Sequence, residues 1–127
     1  MRPSPRTRVG IDLVRISAIA ESLQQFGDRF LARVFTQDEV AYAMSAPPSS
    51  TARLAARFAA KEATRKALRL DGVGWRDIEV VRHADGACDI QLHGAARAIG
   101  GAHFLALSMS HEGDHATAVV IAERDHR

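Results

Sequence analysis

Cysteine, lysine and aromatic residues are all scarce in this 127-residue chain. One cysteine, Cys88, excludes an internal disulfide and a cysteine cage for a metal, and it suits a reducing compartment. No apolar run approaches the length of a membrane-spanning helix, so no membrane partner is expected. The basic start MRPSPRTR leads into a short apolar stretch interrupted by Asp12, which is not the pattern of a secretory signal, and a cytoplasmic protein is expected. With one Trp, one Tyr and no basic block interleaved with aromatics, nothing reads as a nucleic-acid surface. Of 17 basic residues only Lys61 and Lys66 are lysines, and the rest are arginines.

What is present describes one globular domain spanning 1–127, with 1–7 expected to be a flexible lead. Hydrophobic content of 46% and charged content of 25% are ordinary for such a domain. A chain of this length buries roughly two-thirds of its surface. The net charge of +2 suits an anionic ligand or an acidic partner protein.

The strongest local signal runs from about Ala52 to Leu70, free of Gly and Pro and rich in Ala, Leu, Arg and Lys: a helix. Ala55, Phe58, Ala59, Ala63, Ala67 and Leu70 form its apolar stripe, and Glu62 and Lys66 fall on the same stripe. Arg57, Lys61 and Arg65 make a second row at steps of four. Charges on a packing face need partners. Glu62 and Lys66 have the favourable order for an i, i+4 ion pair, so a structural pair and a functional site both account for them.

Val9, Ile11 and Leu13 alternate through a strand, where Asp12 is again a misplaced charge. Ser17 is placed to cap a helix running to Phe26, with Gly27 as its stop. Asp28 opens a short helical piece through Phe35. Thr36 and Glu39 form a capping box for a helix ending near Met44. Beyond the long helix come a strand at Asp77 to His83, an Asp85-Gly86 turn, a strand at Cys88 to Leu92 and a short helix from Gly94 to Ile99. Alternation around Phe104 to Met109 and from Ala116 to Glu123 gives two more strands. The order predicts an α+β fold with the long helix and shorter helices packed on a mostly antiparallel sheet.

His111-Glu112-Gly113-Asp114-His115 spells the zinc-protease pattern H-E-x-x-H. That chemistry needs a helix, where two His at i, i+4 share a face. Gly-Asp and the flanking strand periodicity point instead to a hairpin, whose His111 can contact a phosphate. Asp12 and Glu62 are two acids of the kind that bind Mg²⁺ together with waters and substrate phosphates. Arg57, Lys61, Lys66 and His111 can supply positive charge to those phosphates.

The wording of three segments goes further. VGIDLV at Val9–Val14, RFAAKEATRKA at Arg57–Ala67 and LSMSHE at Leu107–Glu112 resemble the signature blocks of the holo-acyl-carrier-protein synthases, small 4′-phosphopantetheinyl transferases. The resemblance runs from about Val9 to Glu123. It implies that the chain moves the phosphopantetheine arm of coenzyme A onto a serine of apo-acyl carrier protein, in fatty-acid or polyketide synthesis. It further implies Mg²⁺ on Asp12 and Glu62, Lys66 beside the pyrophosphate, and Arg57 and His111 at the nucleotide end. Homotrimers with interfacial sites are also implied. Ala18 stands where many members carry Arg, with Arg15 nearby, and Gly86-Ala87-Cys88 stands where many have Gly-Lys-Pro. Arg15, Arg29 and Arg33 are the candidates to meet an acidic carrier. A binding module without catalysis, a zinc hydrolase and a nucleic-acid binder are the competing expectations.

Overall fold

The computed structural model describes residues 5–124. Of the expected flexible lead, residues 1–4 lie outside this range. Thr7 is not flexible lead but the first residue of a strand, and the Arg6 carbonyl accepts a hydrogen bond from the Arg124 N–H at 3.1 Å.

The chain runs β1 (Thr7–Arg15), α1 (Ile16–Phe26), α2 (Asp28–Val34), α3 (Gln37–Met44) and α4 (Ser50–Leu68). A 3₁₀ turn (Trp75–Asp77) leads into β2 (Ile78–Arg82), β3 (Cys88–Leu92), α5 (Gly94–Gly100), β4 (His103–Glu112) and β5 (His115–Arg124). Among the described residues the strands form an antiparallel sheet ordered β1-β5-β4 and a separate β2-β3 hairpin, so the expected single sheet is two. The α+β assignment holds, and so do the capping box at Thr36 and Glu39 and the turn at Asp85-Gly86.

Ser17 does not cap α1: it lies in the first turn of the helix, whose N-cap position is Arg15 with no side-chain cap bond. The Ser17 N–H and hydroxyl donate to the Asp114 carboxylate at 2.9 and 2.6 Å, while the Ile16 N–H donates to the Asp114 carbonyl at 2.8 Å. Asp114 sits in the β4-β5 turn, so a residue distant in sequence satisfies the open N–H groups at the helix start. Local spacing cannot reveal such a cap. Its structural effect is to lock the end of β4, with His111, beside the junction of β1 and α1.

Helix α4 is the axis of the molecule. Its N-terminal half meets Ile19, Phe35 and Ala43 from the preceding helices, and its C-terminal half meets β5 and the hairpin. The contact with the sheet is built from small residues: Ala59, Ala63 and Ala67 of α4 face Ala118, Val120 and Ala122 of β5. Gly10 of β1 is the closest approach. A Cβ there would lie 1.9 Å from the Ala63 carbonyl oxygen and 2.8 Å from the Ala67 nitrogen, both backbone atoms that cannot rotate away. This contact brings Asp12, on the same strand face as Gly10, up to α4. Gly10→Val should therefore cost about 3 kcal/mol, at the upper end for overpacking, since backbone must move. Thermal unfolding measures the loss, and an unchanged Tm would contradict the close approach.

Candidate active site

The fully buried charge of α4 lies in the row beside the apolar stripe, not on the stripe itself. Lys61 is 0% exposed and Arg57 is 5% exposed. The Lys61 ammonium donates to Glu39 Oε1 at 2.7 Å, to the Trp75 carbonyl at 3.2 Å and to the Ile78 carbonyl. Glu39, itself 2% exposed, also accepts the Val80 and Thr36 N–H groups, each at 2.8 Å. This closed network ties α3 and α4 to β2. Lys61 is thus a core strut, which corrects its expected place among the phosphate-facing cations. Burial holds the Lys61 ammonium below the usual lysine range, against the pull of Glu39.

Glu79 extends the network at its edge. It accepts from the Thr36 hydroxyl at 2.7 Å and lies 2.9 Å from His93 Nε2. Burial pushes its carboxyl up, but these two hydrogen bonds and the charges of His93 and Lys61 outweigh that effect and hold it below the usual range.

Glu62 and Lys66 lie at the margin of the core, with Lys66 exposed. They do not form the i, i+4 pair. Lys66 reaches over to β1, where its ammonium donates to Asp12 Oδ1 at 3.1 Å and to the Ile11 carbonyl at 2.9 Å. The ion-pair partner of Glu62 is Arg65, at 3.9 Å. Burial and the charge of Asp12 together push the Glu62 carboxyl above its ordinary range, with Arg65 and Lys66 only partly offsetting them. The Asp12 charge thus acts on Glu62 across the α4-β1 seam, where a cation would relieve the repulsion. Among the described residues no cluster of three or more His, Cys, Asp or Glu could hold a metal. Two acids with an open remainder fit a hard cation that draws its other ligands from water and phosphate, and do not fit a closed zinc cage.

The H-E-x-x-H pattern lies on the β4-β5 hairpin. His111 pairs with Ala116, and His115 pairs with Glu112. Adjacent ladder rungs point to opposite faces, so the two imidazoles cannot chelate one ion. Hairpin geometry thereby removes the zinc reading.

His111 and Arg57 do meet. Both line a cleft of about 350 Å³ between the start of α4, the β2-β3 turn and the end of β4. Tyr42, Arg53 and Arg82, none of which the sequence singled out as site residues, line it too, together with Cys88 of the turn that departs from Gly-Lys-Pro. The Tyr42 ring carries the Arg53 and Arg57 guanidinium carbons at 4.3 and 4.4 Å and that of Arg82 at 5.1 Å. Arg53 was within reach of pattern reading, since it extends the row Arg57-Lys61-Arg65 by one step. Arg82 sits on another element and was not. Arg15, Arg29 and Arg33 are exposed, and Arg29 and Arg33 flank a shallow cleft of about 260 Å³ with Phe26 and Phe30. Along α4 the cleft residue Arg57 lies about 7.5 Å of helix rise from Glu62 of the acidic seam and about 13 Å from Lys66.

Residues 8–120 match the family model of the 4′-phosphopantetheinyl transferase superfamily. The holo-[acyl-carrier-protein] synthase of Koribacter versatilis is 45% identical over 123 residues, covering 90% of this chain and 95% of that protein. The synthase of Paramagnetospirillum magneticum is 46% identical over 123 residues, covering 91% and 94%. Among solved structures, the Chronobacterium ammoniagenes ACPS–CoA complex superposes with a TM-score of 0.84 at 34% identity, covering 96% of this chain and 100% of that one. The Helicobacter pylori holo-[acyl-carrier-protein] synthase in complex with coenzyme A gives 0.81 at 28% identity, covering 91% and 99%. Matched across nearly its whole length in sequence and in fold, the chain belongs to the 4′-phosphopantetheinyl transferase superfamily and is an enzyme of its holo-[acyl-carrier-protein] synthase branch.

Proposed function

We propose that the protein transfers the 4′-phosphopantetheine arm of coenzyme A to a serine hydroxyl of apo-acyl carrier protein, with Mg²⁺, releasing 3′,5′-ADP. The observation that carries this reading is the pairing of two sites on one helix. Asp12, Glu62 and Lys66 form an acidic seam with one lysine. Arg57 and His111 line a cationic cleft farther along α4. A nucleotide joined through a pyrophosphate to a transferable arm has anionic groups suited to both.

Asp12 and Glu62 would hold the Mg²⁺. The chemistry a bound Mg²⁺ supplies there is charge compensation on the phosphate oxygens and on the phosphorus being transferred. Lys66, poised on Asp12 by a single exposed ion pair, is free to swing to the pyrophosphate and stabilise the departing phosphate. Glu62, with its proton affinity raised, is this chain's own group placed to accept the serine proton. Arg57 and His111 fix the nucleotide end and so orient the pyrophosphate at the seam.

The outer face of the β1-β5-β4 sheet supports a homotrimer. Val9, Ile11, Leu13, Phe104 and Ile121 are 65, 62, 66, 67 and 44% exposed there. Val9 stands opposite Ile121 and Ile11 opposite Val119, so the exposed apolar side chains run together across the sheet. A continuous apolar sheet face on a small domain calls for a partner, and copies of this chain bury it while placing a neighbour beside each α4. Arg29 and Arg33, with Arg15 nearer the seam, meet the acidic carrier, while Phe26 and Phe30 give that surface an apolar centre. Sedimentation velocity reads the trimer as three copies of the chain, and the KM for carrier reads the basic contact. The activity serves fatty-acid synthesis, with polyketide carriers as further substrates, in the cytoplasm.

The test is release of 3′,5′-ADP from coenzyme A in the presence of apo-carrier. EDTA should abolish it, and Mg²⁺, but not Zn²⁺, should restore it. Full activity in EDTA would remove the metal from the reading, and no release with any carrier would remove the transferase.

A further inference from the structure

Of the row Arg57-Lys61-Arg65 on α4, Arg57 lines the cleft and Lys61 braces the core. Arg65 does neither. After Arg69, left-handed at φ 54°, the chain turns back along the helix, and Val73 and Trp75 come to rest on the Arg65 guanidinium. Its Nη2 donates to the Val73 carbonyl, and its central carbon lies 4.2 Å from the centre of the Trp75 ring. Trp75 is fixed in turn. Its ring centre is 5.1 Å from that of Phe58, and its carbonyl accepts from the buried Lys61 at 3.2 Å. A guanidinium stacked on one face and tethered at one end has little freedom left, so the direction of its Nε–H is set by the fold.

That Nε is sealed from solvent and has no hydrogen-bond acceptor. A buried donor left open costs free energy, and a native fold that keeps one calls for an explanation. Nε is also the nitrogen nearest Glu62, whose Oε1 stands 3.9 Å away, about 1 Å beyond hydrogen-bond reach. Among the described residues no hydrogen bond fixes the Glu62 carboxylate either. A fixed donor and an unfixed carboxylate therefore sit side by side. A small turn of the Glu62 side chain joins Oε1 to Nε and leaves its second oxygen for the seam with Asp12.

We propose that Arg65 is a positioning residue: clamped by Trp75 and Val73, its Nε–H orients the Glu62 carboxylate for the divalent cation. This rests on the reading that Asp12 and Glu62 hold Mg²⁺. Carboxylate ligands bind well when a second hydrogen bond holds them at one angle. The positive charge of Arg65 by itself works the other way, since it repels a nearby cation. Orientation and charge thus predict opposite signs when Arg65 is replaced.

Titration of the full chain with Mn²⁺ in the presence of coenzyme A, followed by the paramagnetic resonance of free Mn²⁺, reads cation affinity without turnover. Arg65→Gln and Arg65→Lys should each weaken Mn²⁺ about tenfold, because neither presents a donor at the Nε position. In transfer assays the KM for Mg²⁺ should rise in the same proportion, while kcat at saturating Mg²⁺ falls less. Thermal melts check that the variants fold, and Arg65→Lys, which keeps the charge and the stem, decides the matter if Arg65→Gln does not. Unchanged Mn²⁺ affinity in Arg65→Lys, or tighter binding in Arg65→Gln, overturns the positioning role and leaves the transferase reading intact. Wild-type protein that binds coenzyme A but no Mn²⁺ overturns the Mg²⁺ reading and this role with it.

Discussion

Glu62→Gln should lower the transfer rate by about 10³, or about 4 kcal/mol in activation free energy, while leaving the melting temperature unchanged or slightly raised. The two halves of this expectation have one cause. Glu62 is half-buried beside Asp12, and both influences push its carboxyl toward the protonated form. The folded protein holds a charge that its surroundings disfavour. Its ion pair with Arg65, at 3.9 Å and partly solvated, returns little. Removing the charge therefore relieves repulsion at the seam and costs the fold almost nothing. The same removal takes away one of the two carboxylates proposed to hold the metal and the group proposed to take the serine proton. A residue kept for stability behaves in the opposite way. Initial rates and thermal melts on one preparation measure both halves. Near-wild-type turnover would take Glu62 out of the site, and a large fall in Tm would make it a structural residue.

Lys61→Met should do the reverse. It keeps the length of the side chain and removes its charge, leaving Glu39 ionised in a site that is 2% exposed. Breaking one member of a buried pair costs about 3–5 kcal/mol, because the remaining charge keeps its desolvation penalty. For a domain of this size that lowers Tm by more than about 10 °C. The Ile78 carbonyl loses the ammonium donor as well, and the Trp75 carbonyl is left with the Ile78 N–H. Adding Glu39→Gln should restore much of the loss, since a neutral amide oxygen still accepts from the Val80 or Thr36 N–H without an unpaired charge. In the folded fraction the rate per active site should stay close to wild type, because Lys61 has no path to the cleft or the seam. A Lys61→Met variant with normal Tm and lost transfer would return Lys61 to the phosphate-facing set.

These neighbouring residues of one helix show what was legible in the chain and what was not. Helix α4, the capping box at Thr36 and the strands all carried local signals, and the fold followed from them. The tension around α4 was legible too, but its assignment was not. Periodicity put Glu62 and Lys66 on the packing stripe and Lys61 in a flanking row, whereas Lys61 is fully buried and Lys66 is exposed. The reason is that α4 is enclosed by helices, sheet and hairpin together. Its buried arc is far wider than one stripe, and a helical wheel has no knowledge of how many neighbours surround it. Glu39 was legible as a cap, through its bond to the Thr36 N–H, but not as the partner of Lys61 from 22 residues away. Asp114 was hidden in the same way, since a cap supplied from 97 residues away leaves no spacing to read.

The candidate site divides along the same line. Asp12 and Glu62 stood out because charge in a strand and charge on an apolar face are each unfavourable without a partner. Their convergence depends on Gly10, which lets β1 lie against the α4 backbone. Arg57 and His111 were legible as cations for phosphate, the family resemblance put them at the nucleotide end, and the geometry brings them to one cleft. Tyr42 and Arg82 escaped notice because an aromatic on a short helix and an arginine at a strand end are ordinary by themselves. Only the fold stacks them.

The most direct measurement is the intact mass of an apo-acyl carrier protein after incubation with this enzyme, coenzyme A and Mg²⁺. The account predicts a gain of one phosphopantetheine group on a serine, dependent on Mg²⁺ and lost in Glu62→Gln. An unchanged carrier mass across several carriers, from wild-type protein that binds coenzyme A, would contradict it.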